Sequence, residues 1–185
     1  TISVTADAKS KVYLATDPSL TYQHAGEVGT EAAGFSGALT RDAGETVGNY
    51  DILQGTLALA DNGAFKASNY ILSYTKGTLS ITDGTGETLV VNDYSGAYDA
   101  AAHSITVDSL PESGNTIEYS LTGADGSWSE DLPTFTDVTA ETTVYVKVTN
   151  PNYAERTGSG TVTITPVTIS VTADAKSKVY LATDP

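Results

Sequence analysis

Apolar residues recur at every second position along much of this chain. Ile117, Tyr119 and Leu121 would lie on one face of a strand, with Glu118, Ser120 and Thr122 on the other. Val144, Val146 and Val148 repeat the pattern against Tyr145, Lys147 and Thr149. Turn residues separate such runs: Asp61-Asn62-Gly63 after Leu57–Ala60, Gly123-Ala124-Asp125-Gly126 before Trp128, and Asn150-Pro151-Asn152 before Tyr153. Many short strands between regular turns predict a mostly β chain of sandwich-like (Ig-like) or β-grasp-like modules. Helix is hard to place. Glu27–Gly34 offers a turn or two, weakened by its glycines.

The chain also repeats itself. Residues 1–18 read TISVTADAKSKVYLATDP, and residues 168–185 read the same without a change. Selection on packing alone would let exposed positions such as Lys9 and Ser10 drift, so identity points to recent duplication in a tandem array. A weaker repeat lies inside this unit. Asn69-Tyr70 and Gly77–Thr82 reappear, at one constant offset, as Asn152-Tyr153 and Gly160–Thr165, and Tyr13 is echoed by Tyr98 at nearly the same spacing. The expected organisation is a β module at 1–82, a related one at 83–167, and the first strand of a further copy at 168–185, in an elongated array. Asp83-Gly84-Thr85-Gly86-Glu87 and Thr165-Pro166-Val167 read as the joints, the second stiffened by its proline.

Composition narrows the chemistry. The 185 residues include no Cys, which removes disulfides, thiol nucleophiles and cysteine-held metals. They include no Met, even at position 1, so the chain reads as a piece of a longer repetitive protein. A formal charge of −14 argues against nucleic acid and anionic membrane surfaces as partners. The charge is uneven. Residues 1–82 carry −3, residues 83–167 carry −11, and residues 77–146 hold twelve acids with no Lys or Arg.

Two stretches resemble known families. Val4–Tyr13, Asp17–Tyr22 and Gly37–Tyr50 resemble the MBG-type repeat of bacterial surface proteins. Tyr98-Asp99 before His103–Val107, with Val144–Tyr153 later, is similar to a companion YDG-type repeat of such proteins. The chain departs from these patterns where Leu14-Ala15 replaces the usual Gly-Asp and where Ala100 replaces a common Gly. The resemblance implies a spacer or adhesive repeat of a secreted, surface-anchored adhesin on a bacterial cell. It implies no enzymatic activity, neighbouring repeat copies as partners, and host or wall glycans as the alternative ligands.

No residue is assigned a catalytic, cofactor-binding or metal-binding role from sequence. Ser73-Tyr74-Thr75-Lys76 matches the S-x-x-K pattern of serine acyl-transferases, but a strand would point Ser73 and Lys76 to opposite faces. Leu110–Gly114 resembles a sortase signal yet precedes a strand, so a turn is expected. His24 and His103 are read as having neither a second imidazole nor a carboxylate at metal-ligand spacing. Asp83 and Glu87, with Asp93 or Asp99, could begin a calcium site at the first joint, against solvated surface charge. Lys147 near Asn150 and Asn152 suggests an intramolecular amide crosslink, against a simple turn. Trp128 is either a packing anchor or a sugar-stacking ring.

Overall fold

The alternation becomes strand along most of residues 1–165. The computed structural model describes residues 1–185 and contains fifteen strands and one short 3-10 turn, Ala67–Asn69. Residues 1–82 supply β1 (Ile2–Ala6), β2 (Lys9–Val12), β3 (Tyr22–Ala25), β4 (Gly34–Ser36), β5 (Thr40–Arg41), β6 (Gly48–Leu53), β7 (Ala58–Ala60), β8 (Leu72–Thr75) and β9 (Gly77–Thr82). The remainder supplies β10 (Val91–Asn92), β11 (Tyr94–Ala97), β12 (Thr106–Val107), β13 (Thr116–Ser120), β14 (Thr139–Asn150) and β15 (Tyr153–Thr165). The turn or two of helix entertained for Glu27–Gly34 does not form: Gly29 takes φ 67°, a left-handed backbone that interrupts a right-handed helix.

The chain divides into two compact units. The first comprises Thr1–Leu89, Ser109–Ile117 and Lys147–Thr157. In it β1 lies between antiparallel β3 and parallel β8, while a second sheet runs β2-β9-β6-β5. The chain passes from one sheet to the other repeatedly, most abruptly at Asp7-Ala8 and at Lys76. At the second crossing Gly77 lies against β1, where a Cβ would come within 2.7 Å of the Ala6 carbonyl oxygen, so no larger residue fits. Strict alternation turns Ile2, Val4 and Ala6 inward. Ile2 and Val4 pack with Leu57 and Phe65, and Ala6 with Ile52 and Leu79. Phe65 stacks on Tyr70 with ring centroids 4.7 Å apart. The Asp61-Asn62-Gly63 turn is present, closed by reciprocal backbone hydrogen bonds between Asn62 and Phe65.

The second unit comprises Val90–Asp108, Glu118–Val146 and Gly158–Pro185. Antiparallel β10 and β12 form one ribbon. A larger sheet has the order β11-β15-β14-β13, and the Pro151-Asn152 turn that joins β14 to β15 falls within the residues of the first unit. Val144, Val146 and Val148 are buried, as their alternation requires. The face expected for Leu121 is not realised. The strand stops at Ser120, whose buried hydroxyl accepts the Thr122 and Gly123 N–H groups and so opens the turn, leaving Leu121 51% exposed.

The weak internal repeat is reproduced in strand pairing. β2 runs parallel to β9 with Lys9 opposite Leu79 and Val12 opposite Thr82. β11 runs parallel to β15 with Tyr94 opposite Val162 and Ala97 opposite Thr165. β2 maps onto β11 at the spacing of Tyr13 and Tyr98, and β9 onto β15 at the spacing of Asn69 and Asn152. The next bond of each ladder also matches, Tyr13 N–H to Thr82 O and Tyr98 N–H to Thr165 O, both 2.8 Å. The two four-stranded sheets share one order, first strand beside last strand.

Leu14 and Ala100 both sit in left-handed backbone, φ 64° and 66°. These are the two positions where the resembled families commonly carry glycine. An L-residue there costs about 1–2 kcal/mol, partly offset by the greater freedom glycine gains in the unfolded chain. Leu14→Gly and Ala100→Gly should each stabilise by about 0.5–1 kcal/mol, read as a higher urea midpoint with unchanged m-value. Leu181→Gly, in the repeated segment, should leave the midpoint where it is.

That segment forms no strand and is exposed along its length. It keeps only what is local. Leu181 repeats the left-handed turn of Leu14 with φ 60°, and Ala182 N–H bonds Val179 O as Ala15 N–H bonds Val12 O, each 3.0 Å.

Candidate functional site

Two polar centres stand out, both in the first unit. The first joins the end of β2 to the loops flanking β5. Lys11 projects from β2 with its side chain only 4% exposed, and the turn at Leu14 returns Asp17 to it. Lys11 Nζ donates to Asp17 Oδ1 at 2.7 Å and to Glu45 Oε2 at 2.5 Å. Arg41, at the end of β5, donates through Nε to Asp17 Oδ2 at 2.6 Å, pairs also with Glu45, and holds the Asp42 and Gly44 carbonyls through Nη1. Its guanidinium lies 5.7 Å from the Tyr50 ring centroid. Gly44 permits this closure, because a Cβ there would meet the Tyr50 ring at 2.3 Å and its φ is 141°.

Hydrogen bonds from Arg41 and then Lys11 hold the Asp17 carboxyl down at about 2. Those from Lys11 and Arg41 lower Glu45, and the two carboxylates in turn raise Lys11. All four groups are therefore held in their charged forms. Amide condensation between Lys11 and Asp17 would need a neutral amine and a protonated acid, the opposite of what these partners enforce. The cluster ties the β2–β3 loop and the β5–β6 loop to each other and to β2 and β5.

The second centre lies at the joint expected around residues 83–87. Gly84 exchanges backbone bonds with the β14–β15 hairpin, its N–H to Asn152 O at 2.9 Å and its O from Ala154 N–H at 3.3 Å. Asn152 Oδ1 accepts the Val47 N–H at 3.0 Å, and the Tyr153 ring meets Tyr13 edge-on at 5.3 Å. Gly84 is packed closely as well, since a Cβ would lie 3.1 Å from the Tyr153 ring. Beside it Arg156 donates to the Glu87 carbonyl at 2.8 Å, Glu112 Oε1 at 3.0 Å and Asn115 Oδ1 at 3.2 Å. Glu112, 6% exposed in its side chain, also accepts the Glu87 N–H. That backbone bond leads the causes that place Glu112 at about 2. Arg156 Nε is buried without a partner. An open cavity of about 380 Å³ lies here, lined by residues including Thr85, Glu87, Pro111 and Tyr153.

The residues singled out from sequence fall mostly into structural roles. Ser73 lies in β8 and Lys76 at the sheet crossing, where Lys76 pairs with Asp51. Leu110–Gly114 is a turn, and its Glu112 is the acid just described. His24 pairs with Glu27 at 2.7 Å, and His103 with Asp99 at 2.8 Å while stacking on Tyr94. Asp93 Oδ1 accepts the Thr161 N–H at 2.7 Å, and Asp83 is exposed. The four acids considered for calcium are thus not gathered, and no group of three His, Asp or Glu side chains is placed to hold a metal. Asn150 donates to Ser113 O and Asn115 Oδ1, and its own Oδ1 caps the Asn152 N–H in the hairpin turn. Trp128 is half-buried in the loop closed by the Tyr119–Ser129 bridge. The Lys11–Asp17–Arg41–Glu45 cluster escaped sequence reasoning, although Asp17, Arg41 and Glu45 all lie inside the stretches that carried the resemblance.

An all-β unit built of related sheets, whose ordered polar side chains serve loops and joints, is what these features define. Residues 2–80 match the family model of the MBG domain (YGX type), a structural, non-catalytic kind of repeat that occurs in cell-surface proteins. The resemblance expected over residues 1–82 is met by that match, which does not reach residues 89–165. No curated protein matches the chain. No helix is long and apolar enough to cross a membrane.

Proposed function

We propose that this unit is a spacer repeat in the stalk of a secreted bacterial adhesin, where it carries a functional tip away from the cell. The observation that carries this reading is the faultless recurrence of residues 1–18 at 168–185, the mark of a tandem array, joined to the MBG match over residues 2–80. Residues 83–167 act as the companion repeat, and the acidity concentrated there keeps neighbouring copies apart, within a screening length of about 8–10 Å. Outside the cell, a chain without Cys relies on ion clusters and cores rather than disulfides for its stability.

Adhesion across a fixed gap tests the function. With one to four units displayed between a surface anchor and a tip of known ligand, capture should switch on once copy number spans the gap. An unrelated stalk of equal length should restore it. Capture that depends on the units and not on the tip would favour the glycan-binding alternative, and loss of that capture on Trp128→Ala would locate the contact.

A further inference from the structure

Asn62-Gly63 is the one Asn-Gly pair in the sequence. It opens the tight turn that Asn62 and Phe65 close with reciprocal backbone bonds, so Gly63 stands at the first central position, with φ 57°. Turns of this kind need a left-handed residue there, and glycine supplies it without strain. The same glycine leaves its own nitrogen uncovered. A Cβ on Gly63 would meet nothing within 4 Å, both residues are exposed, and the Gly63 N–H takes no part in the backbone bonds that fix the turn. Asp83-Gly84 makes the contrast, because there the glycine N–H is spent on Asn152 O at 2.9 Å.

We propose that Asn62 is a site of spontaneous self-modification, where the chain converts its own carboxamide to a carboxylate and so disables the turn that holds Phe65. The Gly63 nitrogen, having given its proton to hydroxide, attacks Cγ of Asn62. A C–N bond forms, the Cγ–Nδ2 bond breaks, and ammonia leaves with a proton taken from water, which closes a cyclic imide. Water then opens the ring. Attack at Cγ gives aspartate, and attack at the former backbone carbonyl gives isoaspartate, whose main chain runs through Cβ and Cγ. Both products undo particular contacts. Asn62 Nδ2 donates to Ala32 O at 3.1 Å, which ties the stretch before β4 to this turn. A carboxylate has no proton to donate and repels that carbonyl. Isoaspartate adds a main-chain carbon to a turn of fixed length, so the two bonds between residues 62 and 65 no longer close together. Phe65 has no solvent exposure and packs with Ile2, Val4 and Leu57, so the damage reaches the core of the module. This property is independent of any role as a spacer.

Peptide mapping of the folded chain, aged in mildly alkaline buffer, tests the chemistry. Asn62 should convert ahead of every other asparagine, with the mass gained when NH2 is replaced by OH, with aspartyl and isoaspartyl forms both present, and at a rate proportional to hydroxide. Asn62→Gln should stay unmodified at this position over the same period, since its longer side chain would have to close a larger and slower ring. Asn62→Asp supplies one product at once and tests the consequence. Its melting temperature should fall by about 4–8 °C, the worth of one lost hydrogen bond in a module of this size. Aged chains rich in isoaspartate should melt lower still. Conversion of another asparagine ahead of Asn62, products free of isoaspartate, or an Asn62→Asp chain that melts with wild type would overturn the proposal.

Discussion

Val4→Asp should unfold the first β module. Val4 stands on the central strand β1 with no solvent contact, packed with Ile2, Leu57 and Phe65. A carboxylate there has no cation or backbone donor positioned to receive it, because β1 is paired on both edges. Burying an unpaired charge in place of an apolar side chain costs at least about 4 kcal/mol, a large share of any domain's stability. Urea melts followed by circular dichroism read the loss. A midpoint equal to that of wild type would mean that Val4 is not packed in solution.

Acid should loosen the first unit within a definite window. Asp17 and Glu112, each held at about 2, ordinarily titrate at 3.8 and 4.5. A carboxylate whose folded value is depressed stabilises the fold above its unfolded value, and that contribution disappears as pH falls through the folded one. Glu45, Asp7 and Asp61 are lowered as well and act in the same direction. The melting temperature should be nearly level from pH 8 to about 5 and fall from about 4.5 toward 2. Glu112→Gln removes one of the charges that receives Arg156 and the Glu87 N–H, so it should lower the melting temperature at pH 7 and flatten the acid limb. A profile that keeps its full height at pH 2.5 would mean that neither carboxylate supports the fold.

Much of the architecture is legible in the sequence because it is carried by short-range signals. Alternation identified the Val144–Val148 strand, and Asn-Gly and Asn-Pro pairs marked turns whose geometry depends on neighbours along the chain. The recurring offsets, Tyr13 to Tyr98 and Asn69 to Asn152, pointed to related modules, and the equivalent strand pairs and their shared register are what the structure adds. What could not be read is what depends on distant partners. Nothing local to Lys11 announces Glu45, and nothing local to Arg156 announces Glu112. The excess acid of residues 77–146 drew attention to calcium, whereas the densest charge network lies in the nearly balanced first stretch, where cations are at hand to pair. Ser120 misled for a related reason: its hydroxyl finds two backbone N–H groups in the next turn, so the strand ends where alternation alone would carry it on to Leu121.

Small-angle scattering from chains of one, two and three units tests the spacer role most directly. Stiff end-to-end addition should raise the radius of gyration nearly threefold from one unit to three, with the longest dimension growing by a constant step. Packing of the units into a single globule would raise it only about 1.5-fold, as the compact-domain scaling requires, and would contradict a stalk.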